Sequence, residues 1–168
     1  MESLDKLIQE CPPEFENLLY FVIGFVSETI IAKELASVTK KHIMPGVFEM
    51  FRDHLTDEAQ HSRFFSNAFI YIWQYSGLNE RRFIADRLPS VMAVFFKSDQ
   101  EYYLNLFDKI GVPNEVIRHA CLDLGMGSID ISRLSVGADA TLKAMQNAGF
   151  FEDLSIDVFL FLNGLPNA

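Results

Sequence analysis

Four side chains have the types and spacing for metal chemistry: His54, Glu58 and His61 in one short run, and Glu28 upstream of it. The run reads His54-Leu55-Thr56-Asp57-Glu58-Ala59-Gln60-His61. On an α-helix successive residues turn by about 100°, so a step of four and then one of three return to nearly the same face. Two imidazoles and a carboxylate that converge from one helix face can coordinate a cation.

Glu28 ends the apolar run Tyr20-Phe21-Val22-Ile23-Gly24-Phe25-Val26 and shares a helical face with Phe21 and Phe25. A carboxylate on an apolar face is costly unless something pairs with it. Pro45-Gly46 breaks the chain between the two segments, with Glu28 17 residues before the break and Glu58 13 residues after it. In an antiparallel helical hairpin these are similar depths. A Glu on one helix beside Glu-x-x-His on the next is the unit that ferritin-like di-iron bundles use twice. The competing reading is a surface pair of Glu58 and His61 with a solvated His54. Val47, Phe51 and Phe65 on the same face predict that it is buried instead.

The elements that must position these residues follow from the helical period. Leu18, Phe21, Phe25, Ile31 and Leu35 recur near it. They predict a helix from 14 to about 41, roughly 40 Å long at ~1.5 Å per residue. Pro13 can open this helix. A second helix is predicted over 47–75, stopped by Ser76-Gly77. Shorter helices are expected near 79–87, 90–110, 114–124, 131–147 and 152–162, bounded by Pro89, Gly111–Pro113, Gly125–Gly127 and Gly149. No stretch alternates polar and apolar residues for long enough to predict a sheet. The expectation is an all-α, ferritin-like helical bundle in one domain over 1–168. Its ligand hairpin covers 14–76 and its accessory helices 79–163.

Composition agrees. Of 168 residues 49% are hydrophobic, and 16 Phe, five Tyr and one Trp supply an aromatic core. A net charge of −9 disfavours nucleic acid as a partner. Cys11 and Cys121 form no Cys-x-x-Cys pair, which argues against a disulfide scaffold, a zinc ribbon or an iron–sulfur site and suits a reducing cytoplasm. The first residues lack the basic start of a signal peptide. The apolar run 18–26 reads as too short to span a bilayer, so no membrane partner is expected. His42, beside Lys40 and Lys41, reads as part of a basic helix end. His119, four residues before Asp123, reads as a locally satisfied histidine. Glu34, six residues after Glu28, falls on another face and reads as a surface charge.

The run Phe25-Val26-Ser27-Glu28 followed by His54-x-x-Asp57-Glu58-Ala59-x-His61-Ser62 resembles the second half of the p-aminobenzoate N-oxygenase (AurF) family. That resemblance implies a di-iron oxygenase on a ferritin-like bundle, which oxidises aryl amines with O₂ and an external electron donor. It implies iron ligands at Glu28, Glu58 and His61, and at His54 the extra histidine that sets the family apart. Family members are about twice this length, and their first half brings another Glu and another Glu-x-x-His, which this sequence lacks. The expected resolutions are a homodimer that shares the site, a separate half-chain, or a fragment of a longer enzyme.

Asp57 is a candidate partner for an imidazole N–H, and Phe21, Phe25, Phe51 and Phe65 are candidate walls of a substrate pocket or simply core. Other readings of the ligand set are a site for Mn or Zn, since the ligand types fit these too, and a non-catalytic metal-binding or interaction module.

Overall fold

The computed structural model describes residues 4–38, 44–96, 100–123 and 137–153. Among these residues every regular element is a helix, and there is no strand. The helices are α1 (Leu4–Gln9), α2 (Glu16–Val38), α3 (Pro45–Tyr75), α4 (Leu78–Phe96), α5 (Gln100–Lys109), α6 (Asn114–Asp123) and α7 (Asp139–Asn147). A 3₁₀ turn over Pro13–Phe15 leads into α2, so Pro13 opens the helical segment as expected. The expected all-α, ferritin-like bundle is the fold found.

Apolar residues surround most of α2, and the helix accordingly sits in the middle, packed against α3, α4 and α7. Leu19, Val22, Phe25, Val26 and Ile30 are all buried. A ladder of rings joins α2 to α3 and the segment after α7. Phe25 stacks on Phe69 at 4.3 Å, Phe69 on Trp73 at 6.1 Å, and Trp73 lies 4.7 Å from Phe150. Each fully buried ring contributes on the order of 2–3 kcal/mol through burial alone.

The apolar segment of α2 is longer than expected. Ile30 and Ile31 extend it past Glu28, and by length and composition Pro13–Lys33 would be long enough to cross a membrane. A third of that stretch is buried in the bundle, and Glu28 lies within it beside groups from α3.

Several boundaries differ from the sequence reading. Helix α3 begins at Pro45 itself, not at Val47, because the fixed φ and missing N–H of proline suit a first helical turn. Pro89, expected as a boundary, lies inside α4. An interior proline costs roughly 3 kcal/mol. Leu88, Val91 and Met92, all fully buried around it, more than offset that at about 1.5–3 kcal/mol each. The start of α4 is fixed by Glu80, whose carboxylate accepts the Gly77 N–H in the manner of a capping box.

The helix expected over 90–110 is carried by α4 to Phe96 and by α5 from Gln100, with 97–99 outside the described residues. Gly111 and Gly149, at φ 75° and 76°, stop α5 and α7 as expected. Of the helix expected over 131–147, residues 131–136 lie outside the described residues, as do 154–162 of the last. Glu152 stands in a turn. Helix α1 went unread because six residues are too few to show a period. It is anchored by the buried Leu7 and packs on α4.

Candidate metal centre

Helices α2 and α3 pack antiparallel, and two contacts fix their register. Glu28 lies beside Glu58 and His61, and one turn further along Gly24 lies against Phe65. A Cβ at Gly24 would fall 2.9 Å from Phe65 Cε1, so only glycine lets the ring sit this close to the α2 backbone. Phe65 in turn stacks on Phe21 at 6.0 Å. Above the ligand level the hairpin is therefore closed by aromatic rings.

At the ligand level the four predicted side chains meet. His61 Nδ1 is 3.4 Å from Glu28 Oε2 and 3.4 Å from Glu58 Oε2. His54 Nε2 is 3.4 Å from Glu58 Oε1. Donor atoms of Glu28, Glu58 and His61 all lie within 4.8 Å of one another and could hold one metal ion, with His54 on the far oxygen of Glu58. With metal–ligand bonds of about 2.1 Å, neighbouring ligand atoms in a tetrahedral site are about 3.4 Å apart. The spacing thus suits atoms that share a cation better than atoms that share a proton, since 3.4 Å is long for an N–H···O bond.

Burial divides the site. The Glu58 side chain is 11% exposed and that of Glu28 26%, whereas both imidazoles are 57% exposed. Glu28 Oε2 and Glu58 Oε2 are buried and have no hydrogen-bond partner. Burial raises the Glu28 carboxyl above the ordinary glutamate range; the adjoining Glu58 raises it further, and His61 opposes both. Two adjacent carboxylates with buried oxygens repel unless a proton or a cation lies between them.

The expected burial of the whole face is only partly met. Phe25 is buried and packs in the core on Phe69; Phe21, Phe51 and Phe65 are half-buried, and Val47 is exposed. Asp57 is exposed, with no ion pair among the described residues. His119 Nδ1 bonds the Glu115 carbonyl at 2.9 Å on its own helix, in keeping with a locally satisfied histidine. His42 and the side chains of Glu34, Cys121 and Asp123 lie outside the described residues.

The profile of the family described as P-aminobenzoate N-oxygenase AurF matches residues 1–124, about three-quarters of the chain. This chain belongs to the AurF family. Searches of curated proteins and of solved structures return no match. AurF proteins are di-iron oxygenases, as the resemblance in the ligand run implied, and the matched stretch holds all four candidate ligands.

One supporting pair lies partly outside that AurF match and escaped the sequence reading. Thr29, adjacent to Glu28, is fully buried, and its Oγ1 lies 2.7 Å from the Phe25 carbonyl and 2.7 Å from Thr141 Oγ1 on α7. A hydroxyl has one proton, so with Thr29 donating to Phe25, Thr141 must donate to Thr29. The pair pins α7 to α2 directly behind Glu28. A threonine within an apolar run was the only signal of it in the sequence. A second clamp is Arg81, which bonds the Trp73 and Gln74 carbonyls at the end of α3 and Asp153 at 2.8 Å.

Proposed function

We propose that this chain is a non-haem di-iron oxygenase that acts on an aryl amine or a similar small aromatic compound. The observation that carries the reading is the placement of Glu58. It directs one carboxylate oxygen at each imidazole and is nearly buried, while one oxygen of Glu58 and one of Glu28 lack hydrogen-bond partners. With one imidazole nitrogen beside each of its oxygens, Glu58 would be a shared ligand of such a centre, next to His54 on one side and His61 on the other.

Glu28 and Glu58 would supply the negative charge that two cations need, and His54 and His61 the neutral nitrogen ligands. An iron pair, when bound, supplies the binding and reduction of O₂. One oxygen atom enters the substrate, and two electrons and two protons from an external donor convert the other to water. The chain's own part is to fix the ligands and keep water away. Phe21 and Phe65, one to two turns from the ligands, form an apolar wall on the side of the aromatic core. The second reading, a single-metal site for Zn or Mn without oxygen chemistry, has its support in the tight grouping of Glu28, Glu58 and His61 alone.

Anaerobic loading with ferrous iron, followed by Mössbauer spectroscopy after exposure to air, separates the two. A coupled ferric pair is expected. A protein that takes up zinc but no iron would end the oxygenase reading.

A further inference from the structure

Resting on the di-iron reading, we propose that the partner completing this site is a second copy of the same chain, docked on the exposed face of α3. The first support is the ligand complement. A ferritin-like di-iron site takes one Glu from each of two helices and a Glu-x-x-His from each of two more. Helices α2 and α3 bring one of each to a point, together with His54. A second copy carries a matching set, and two-fold pairing presents it from the opposite side.

The second support is where the site opens. The carboxylates are held inside, but His54 and His61 are each 57% exposed. They stand in a stripe of α3 that also carries Met50, Phe64, Tyr71 and Tyr75, each at least 60% exposed. At ~100° per residue these six positions fall within an arc of roughly 100°. Apolar residues thus lie on both sides of the ligand level along a helix of about 46 Å. The exposed carboxylates of Asp53 and Asp57 fall in the same arc, so the patch is apolar toward its two ends and acidic beside the ligands near its middle, where cations would sit. Two chains of net charge −9 repel each other, so cations buried between them should strengthen the pairing.

Sedimentation of the 168-residue chain with and without Zn²⁺ tests this, beside the double variant Phe64→Glu, Tyr71→Glu and the control Val116→Glu on α6. The wild type and the control are expected to be dimers, tighter with Zn²⁺. The double variant should be a monomer with unchanged helical circular dichroism, and its Zn²⁺ affinity should fall by at least about tenfold because half of the ligands have left. A monomeric wild type overturns the proposal, as does a double variant that stays dimeric or a monomeric variant that keeps its zinc affinity. A dimer that takes zinc between its halves but refuses iron upholds the shared site and removes the oxygenase reading, so the two fail separately.

Discussion

Glu28 and Thr29 are neighbours on α2, both polar, both set in an apolar helix, and they have opposite fates. Thr29 looks toward α7, where every hydrogen-bonding need is met by the Phe25 carbonyl and by Thr141. Glu28 looks toward α3, where it finds another carboxylate and an imidazole at 3.4 Å, and its buried Oε2 has no hydrogen-bond partner. One pair contributes to the fold as it stands, and the other is costly until something further binds. A buried polar group with its partners in place is architecture; one left short of partners marks a site.

The comparison breaks most sharply at the carboxylates. Glu28→Gln removes one of two adjacent buried negative charges, so the metal-free protein should melt at the same temperature or higher. Its affinity for Zn²⁺ or Fe²⁺ should fall by about 100-fold, of the order seen when ligand arrangements are disturbed. Thermal melts of the metal-free variant and a metal titration check both halves. A variant that loses stability and keeps its metal would put Glu28 with the architecture instead.

Thr29→Val should do the reverse. It leaves the Thr141 hydroxyl without its acceptor in a dry core, at a cost of about 1–3 kcal/mol. The double variant Thr29→Val, Thr141→Val should recover most of that loss, since both polar groups leave together. Chemical denaturation of the single and double variants measures the coupling, and metal affinity should change by less than about threefold, the pair having no ligand atom.

Much of this was legible in the chain itself. The 4 + 3 spacing of His54, Glu58 and His61 is a property of helical geometry, and the Pro45 break set Glu28 at a matching depth, so the grouping of these four side chains could be read without coordinates. Long-range packing was less legible. Pro89 reads as a boundary by local rules, yet the burial of Leu88, Val91 and Met92 carries α4 through it. Thr141 is paired with a residue 112 positions away, and nothing local announces that. The open side of the ligand face was misjudged for a related reason. Apolar residues on a helix predict that something covers them, but not whether it is the same chain, and Val47 is exposed with Met50 and Phe64.

The smallest effect belongs to the surface bridge that backs the Thr pair. Asp139 on α7 accepts hydrogen bonds from Lys143 at 3.0 Å on its own helix and from Lys33 of α2 at 3.3 Å. These two bonds hold its carboxyl below the ordinary aspartate range. A depressed folded-state value means that the ionised form is favoured by folding. The stabilisation is therefore present above the ordinary aspartate range and disappears as the pH falls through the lower, folded value. Asp139→Asn should depress the melting temperature slightly at neutral pH, within the modest range of solvent-exposed ion pairs. Added salt should shrink the difference, and strong acid should abolish it. Melts of variant and wild type across an acid series check the sign: a gap that widened in acid would mean that Asp139 is held protonated in the fold. The two lysines in reach of Asp139 argue against that, because each favours the ionised carboxylate.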